Sequence, residues 1–201
     1  MELCEAIRQR DAHFVAALNA CRFGDKNGAR WIEQHALVNP LPDSIILCST
    51  NAQARDENMQ RLNALKDEEM TFVAHVTGEV LKSDMPTDEE LSLKPGARVM
   101  ALVNNSEDTF MNGALGTVIN CDGPGALVRF DGIEATFVQS FEWKITKPVL
   151  INGKNEKEVV GTFEQIPLKL AWASTIHKSQ GQTFDRAIIY PDCWDFGQLY
   201  T

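Results

Sequence analysis

The chain has 201 residues, 44% of them hydrophobic and 23% charged, which is the composition of a globular protein with one large domain or two small ones. Its formal net charge of −9 argues against coating of nucleic acid by bulk electrostatics, although a narrow basic groove remains compatible with it. No run approaches the roughly 18 apolar residues that a membrane span requires, and no apolar signal-peptide core follows the charged start. Five scattered cysteines without a C-x-x-C pair predict a reducing, cytoplasmic setting without zinc or disulfides.

The first part of the chain predicts α/β structure. Residues 2–20 place apolar side chains at helical spacing, residues 29–37 form a second short helix candidate, and the prolines in 39–43 end it. The continuous apolar run Ile45–Cys48 is typical of a strand buried on both faces. A polar turn and an amphipathic helix through residue 65 follow, which together make half of a βαβ unit.

The middle of the chain has a different texture. Between residues 93 and 145, short alternating apolar runs are separated by Asn-Asn, Asn-Gly and Asp-Gly turn signals, which predicts a small all-β barrel. The α/β texture then returns. The predicted layout is an α/β domain from 1–70 plus 160–201, a β insertion over 93–147, and connectors over 71–92 and 148–159.

The stretch "AWASTIHKSQGQTFDRAIIY", residues 171–190, places a polar segment between two apolar runs. This reads as a strand, a polar turn, a short helix and a second buried strand, and ligands of open α/β sheets bind at the carboxyl ends of strands. Thr175 and Ser179 can donate to phosphate oxygens, Lys178 adds a positive charge and His177 can stack on a base. By composition alone, a capped surface turn is the more economical interpretation.

The exact string "TIHKSQGQTFD" closely resembles motif V of the superfamily 1B helicases, in the RecD/Pif-type group. Three further segments resemble that group in the same order: "AIRQRDAHFVAALNACRFGD", "SIILCSTNAQARDENMQRLNAL" and "LKPGARVMALVNNSEDTFMNGALGTVINCDGPGALVRFDG". The resemblance implies an α/β fold: a RecA-like, P-loop NTPase-like parallel-sheet domain called 2A, discontinuous and incomplete at its C-terminus. A small SH3-like β-barrel called 2B is inserted in it.

The resemblance also implies a set of site residues. In such helicases ATP binds between domains 1A and 2A, and single-stranded DNA crosses both. By similarity, Arg8 would reach the γ-phosphate as the catalytic arginine, a contact whose loss can cost on the order of 10³-fold in rate. The implied nucleotide-binding residues are Gln9, Gln180, Gly181 and Gln182. The implied DNA-binding residues are Thr50, Asn51, Asn112, Gly113, Thr175, His177, Lys178 and Ser179.

Each implied role has a structural alternative. Arg8 can be an ordinary arginine on a helix surface, and Thr50 with Asn51 can be a helix N-cap. Asn112-Gly113 can be a type I′ hairpin turn. His177 can be a structural histidine with satisfied hydrogen bonds.

Several helicase parts are not found in the sequence. There is no G-x-x-x-x-G-K-[ST] phosphate loop, no strand-terminal Asp-Glu pair for Mg²⁺, and no motif resembling "ALSR" after "FGQLYT". We therefore expect a segment that lacks domain 1A, holds no metal or tightly bound cofactor, and neither hydrolyses ATP nor unwinds DNA by itself. ATP and Mg²⁺ would serve the full-length enzyme, with single-stranded DNA and domain 1A of the same chain as partners and no membrane.

The preferred hypothesis is the 2A plus 2B part of an ATP-dependent DNA helicase of 5′-to-3′ polarity. One alternative is a non-catalytic module that binds nucleic acid or protein. Another is the helicase subunit of an exonuclease complex, in which docking to other subunits dominates.

Overall fold

The computed structural model describes residues 11–36, 44–105, 109–151, 154–182, 184 and 186–189. Its helices are α1 (Ala12–Arg22), α2 (Lys26–His35), α3 (Asn51–Ala64) and α4 (Ile176–Ser179), with a 3₁₀ turn over Lys82–Asp84. The strands are β1 (Ile45–Cys48), β2 (Met70–Val73), β3 (His75–Gly78), β4 (Glu90–Leu93), β5 (Arg98–Ala101), β6 (Leu115–Asp122), β7 (Gly125–Phe130), β8 (Ala135–Gln139), β9 (Phe141–Ile151), β10 (Lys154–Gln165), β11 (Leu168–Leu170), β12 (Ala173–Thr175) and β13 (Ala187–Ile189).

The two N-terminal helices begin at aspartate caps. Asp11 accepts hydrogen bonds from the backbone N–H groups of His13 and Phe14 at the start of α1. The helix predicted over 2–20 therefore begins at Ala12 within the described residues, and residues 2–10 lie outside them. Asp25 caps α2 in the same way, and α2 therefore begins three residues before the helix candidate predicted over 29–37. An aspartate oxygen satisfies N–H groups that the first helical turn leaves unpaired.

A parallel sheet forms one part of the molecule. Its strand order is β12-β1-β13, and both pairings with β1 are parallel. The apolar β1 is central and largely buried, as expected for a strand covered on both faces. Helix α3 follows β1 and buries Ala54, Asn58 and Leu62 at helical spacing, which confirms the predicted strand–turn–helix unit.

An antiparallel sheet forms the second part. Its order is β11-β5-β6-β7-β8, and its β5–β8 strands come from the region where alternating runs were predicted. Among the described residues this sheet has two ends and does not close on itself, so a mixed α/β fold is confirmed while a closed barrel is not. Two long antiparallel strands, β9 and β10, follow and pair with each other, and β10 also pairs with β3. They include residues 148–151 and 154–159 of the segment predicted as a connector.

The apolar run "IPLKLAWA", residues 166–173, which periodicity alone would give as one strand, leads into strands of both sheets. Leu168–Leu170 pairs with β5, whereas Ala173–Thr175 pairs with β1. Between them, the Ala171 N–H donates to the Arg98 carbonyl at 2.9 Å, and the Trp172 carbonyl accepts from the Ile46 N–H at 2.8 Å. The chain thus keeps one backbone hydrogen bond to each sheet as it crosses between them.

The hydrophobic core joins these parts. Leu62 of α3 is fully buried in one cluster with Val99, Phe130 and Leu168 of the antiparallel sheet. A smaller cluster joins Ile45 of β1 to Met100 of β5. Contiguous burial of this kind stabilises the packing of α3 and both sheets. Within the described ranges, no helix has the length and apolarity needed to cross a membrane.

Candidate functional site

The parallel sheet places two strand-end turns beside each other. Strands β1 and β12 are neighbours, and Cys48 pairs with Thr175 at their carboxyl ends. Each strand leads directly into a helix, α3 after β1 and α4 after β12. Because adjacent strands lie about 4.8 Å apart, the sheet brings Thr50 and Asn51 close to α4. The polar turn of residues 175–181 was predicted to follow the carboxyl end of a strand in a parallel sheet, and this position is confirmed.

The α4 turn separates structural side chains from exposed ones. Thr175 caps the turn, and its hydroxyl oxygen accepts from the Lys178 N–H at 3.4 Å. The Ser179 hydroxyl donates to the Thr175 carbonyl at 2.9 Å, and both side chains are buried. His177 and Lys178 are exposed. The turn therefore presents an imidazole and an ammonium group to solvent on a fixed backbone, and the hydroxyls of Thr175 and Ser179 already have partners inside it.

The β1–α3 junction is a capping box. The Thr50 hydroxyl accepts from the Gln53 N–H at 3.2 Å, and the Gln53 side chain accepts in return from the Thr50 N–H, also at 3.2 Å. The buried Ser49 hydroxyl donates to the same Gln53 carbonyl oxygen at 2.9 Å. The N-cap interpretation is thereby confirmed. Thr50 and Asn51 are exposed, and their contact with DNA stays a prediction.

Asn58 orients the strand that leads into α4, a role that the sequence did not indicate. Its side-chain oxygen accepts from the Ala173 N–H at 2.8 Å, and its Nδ2 donates to the Ala173 carbonyl at 2.9 Å. Among the described strands β12 is at an end of the parallel sheet, and there Asn58 makes the hydrogen bonds that a neighbouring strand would otherwise make. Only the polarity of Asn58 on an otherwise apolar helix face could have signalled this role.

The Asn112-Gly113 pair belongs to a longer connection than predicted. Strand β5 ends at Ala101 and β6 begins at Leu115, so the type I′ hairpin interpretation is wrong. The Asn112 N–H donates to the Asn104 side chain at 2.8 Å. The Gly113 N–H donates to the Ala101 carbonyl at 2.9 Å, with a φ of 90° that favours glycine. Asn112 is exposed at the surface of this connection.

Lys169 adds a second positive charge near α4. Burial lowers the pKa of the Lys169 ammonium, and the charge of Lys178 lowers it further. Both effects disfavour the charged form of the Lys169 side chain. No ion pair joins Lys169 to a carboxylate within the part of the chain that the structure describes.

The predicted nucleotide-binding residues are only partly described. Arg8 and Gln9 lie outside the described residues. Gln180 and Gly181 follow α4 and are exposed, and Gly181 has a φ of 81°. Gln182 is partly buried, and its side chain lies beside Gly113 of the β5–β6 connection. The described residues contain no group of three or more His, Cys, Asp or Glu side chains that could hold a metal ion.

No family model matches the chain. The ATP-dependent DNA helicase PIF1 of Xenopus laevis is 30% identical to it over 214 residues, a match that covers 100% of this chain and 32% of the relative. Unliganded Pif1 from Bacteroides sp. superposes with a TM-score of 0.82 at 31% identity, covering 98% of this chain and 47% of that one. The Bacteroides Pif1 structure bound to single-stranded DNA superposes with a TM-score of 0.73 at 32% identity. That match covers 100% of this chain and 48% of the Bacteroides chain.

These matches identify the class of protein as the superfamily 1B helicases. Within this class, the chain belongs to the Pif1 type, as the motif V resemblance predicted. It spans about a third of the length of the Xenopus relative and about half of the Bacteroides chains.

Proposed function

We propose that the chain is the 2A and 2B part of an ATP-dependent, 5′-to-3′ DNA helicase, which supplies a grip on single-stranded DNA and half of an ATP site. The Bacteroides relative has been crystallised bound to single-stranded DNA. The polarity and the division into domains rest on the family resemblance. A reducing, cytoplasmic setting is likewise proposed, from the scattered cysteines.

The observation that carries the proposal is the exposed His177-Lys178 pair on α4. Buried Thr175 and Ser179 fix the backbone beneath the pair, and Thr50 and Asn51 lie at the neighbouring strand end. A strand of DNA crossing this edge would place phosphates near Lys178 and a base near His177. Ammonium groups bind phosphate oxygens, and imidazole rings stack on bases.

The proposed ATP half-site follows the same turn. Gln180, Gly181 and Gln182 would face the nucleotide from one side, with Arg8 and Gln9 approaching the phosphates. Exposure of Gln180 and Gly181 fits this placement. Mg²⁺ and the phosphate loop would be supplied by domain 1A. Arg8 would stabilise negative charge that develops on the transferred phosphoryl group.

The proposed domain layout assigns 1–70 and 160–201 to a RecA-like 2A, and 93–147 to an SH3-like 2B. Strands β1, β12 and β13 of the parallel sheet come from the two 2A segments, while β5–β8 come from 2B. Strand β11, from the second 2A segment, pairs with β5, and this pairing would join the two domains.

A DNA-binding titration tests the proposal. The 201-residue chain is titrated against fluorescein-labelled oligo-dT by anisotropy, at several salt concentrations. We expect binding that weakens as salt rises, because phosphate contacts release counterions. The double variant His177→Ala, Lys178→Ala should bind about tenfold or more weakly, since it loses a phosphate contact and a stacking contact.

The matched control is His75→Ala, Lys157→Ala, which removes the same two side-chain types from exposed positions on β3 and β10. It should bind like the parent chain. Equal binding by the α4 variant and the parent would refute the assignment of the grip. DNA-stimulated ATP hydrolysis by the complete gene product distinguishes a motor from a non-catalytic module.

A further inference from the structure

The segment that follows α4 contacts the β5–β6 connection. The Gln182 N–H donates to the Ser179 carbonyl at 3.0 Å, which fixes where its side chain starts. A Cβ placed on Gly113 would lie 3.9 Å from Gln182 Nε2 and 4.0 Å from its Cδ, which is ordinary van der Waals contact. The Gln182 side-chain amide therefore lies beside Gly113, at the end of the connection.

A second contact supports the first one. Phe184, two residues further on, packs against the buried cluster of Ile45, Met100 and Ala171, together with Leu115 at the start of β6. Phe184 and Leu115 thus share one buried cluster, and the segment after α4 lies against the same part of the molecule as the end of the β5–β6 connection. This packing of Phe184 holds the segment close to the antiparallel sheet.

The Gln182 side chain is enclosed at this contact. Its Oε1 is buried and has no hydrogen-bond partner among the described residues. An unpaired buried acceptor is unfavourable. Because Oε1 accepts no hydrogen bond from the described residues, packing around the side chain keeps it in place. A nucleotide contact through the same oxygen would require the side chain to leave the position it occupies here.

The β5–β6 connection is organised as a unit. Phe110 is 5% exposed and stacks on Phe130 with ring centroids 4.5 Å apart. The Asn105 N–H donates to the Phe110 carbonyl at 3.0 Å, and Asn104 accepts from the Asn112 N–H. Phe110 anchors one part of the connection in the core, and the contact with Gln182 is made at its end.

We propose that Gln182 is a positioning residue, whose side chain holds the end of the β5–β6 connection against the segment that follows α4. Asn112 and the exposed His177-Lys178 pair are thereby kept on one continuous surface. The positioning rests on the contacts described above. Its consequence for DNA rests on the proposed function, because only then is this surface the grip on the strand.

Amide hydrogen exchange measured by NMR on the 201-residue chain tests the positioning without DNA. In Gln182→Ala, the Asn112 and Gly113 amides should exchange about tenfold faster or more, because local opening becomes easier when a packing contact is lost. Amides of the β7–β8 pairing, at the far end of the sheet, should keep their rates. Gln182→Met retains the length of the side chain and should leave all rates close to those of the parent.

The matched control is Gln180→Ala, which makes the same substitution at an exposed position two residues away; it should leave the Asn112 and Gly113 rates unchanged. Unchanged rates in Gln182→Ala would overturn the proposal. Equal acceleration of the β7–β8 amides would also overturn it, because Gln182 would then be a general stabiliser. In the unsubstituted chain, the Gly113 and Gln182 amides should open together, and opening rates that differ by more than about tenfold would contradict the contact even if the variant fails to fold.

Anisotropy with oligo-dT separates the two proposals. Faster exchange with weaker DNA binding in Gln182→Ala supports both. Faster exchange in a chain that binds no single-stranded DNA supports the positioning role and rejects the proposed grip. Weaker DNA binding with unchanged exchange rejects the positioning role, because Gln182 would then act on the DNA directly.

Discussion

Removal of the Asn58 amide is the most direct test of how the strand-end turn is held. Asn58 is 8% exposed and makes bonds of 2.8 and 2.9 Å to the Ala173 N–H and carbonyl. Asn58→Ala leaves both backbone groups without this partner, and Ala173 is 3% exposed, so solvent cannot readily replace it. At about 1–3 kcal/mol for each unpaired buried group, less about 0.5 kcal/mol for the better helix propensity of alanine, the expected loss of unfolding free energy is about 2–5 kcal/mol.

Urea unfolding of the 201-residue chain, followed by circular dichroism, measures this loss. The control is Asn63→Ala, the same substitution at an exposed position of α3, which should change stability by less than about 0.5 kcal/mol. A loss below about 1 kcal/mol for Asn58→Ala would show that the two bonds do not hold β12 as inferred. If the loss has the expected size, Asn58→Ala should also make local opening of α4 easier, and the Lys178 amide should then exchange faster.

Three further predictions concern the helix caps and the ATP site. Thr50→Ala should lower the free energy of unfolding in urea by about 1 kcal/mol, because it removes the acceptor for the Gln53 N–H. Thr50→Ser retains a hydroxyl and should keep most of that stability. Equal losses in the two variants would contradict the capping role of Thr50. The Phe14 N–H bond lowers the pKa of Asp11 below 3.8, so the contribution of this cap is present above that pH and is lost as pH falls through the folded pKa. NMR of the α1 amides should show this acid loss, and Asp11→Asn, which retains a capping oxygen, should abolish its pH dependence. Arg8→Ala in the full-length protein should lower ATP turnover more than nucleotide affinity, and an unaltered turnover would return Arg8 to the helix surface.

Local patterns predicted the parallel sheet because its signals are short in range. The apolar run of β1, the cap at Thr50 and the helical repeat of α3 each involve residues within a few positions of one another. The same holds for the turn at Thr175, whose partners are three and four residues away. Such features follow from backbone geometry and side-chain type alone.

Long-range pairings could not be read in this way. Asn58 and Ala173 are 115 positions apart, and nothing in the local sequence of either distinguishes this bond from simple surface polarity. The division of "IPLKLAWA" also depends on distant partners, because its first part pairs with β5 and its end begins the strand that pairs with β1. Periodicity shows that a run is buried but does not show which sheet buries it.

The crossing at Ala171 and Trp172 explains why the candidate site involves both sheets. Lys169 lies on β11 before the crossing, and α4 lies immediately after β12. The crossing places both lysines within reach of each other's charge. Beyond α4, Gln182 and Phe184 return the chain to the β5–β6 corner. One stretch of chain therefore contacts the antiparallel sheet before and after the turn that carries His177 and Lys178. A shift of either sheet relative to the other would therefore be expected to move that turn, and the proposed function requires such a link between nucleotide state and the grip on DNA.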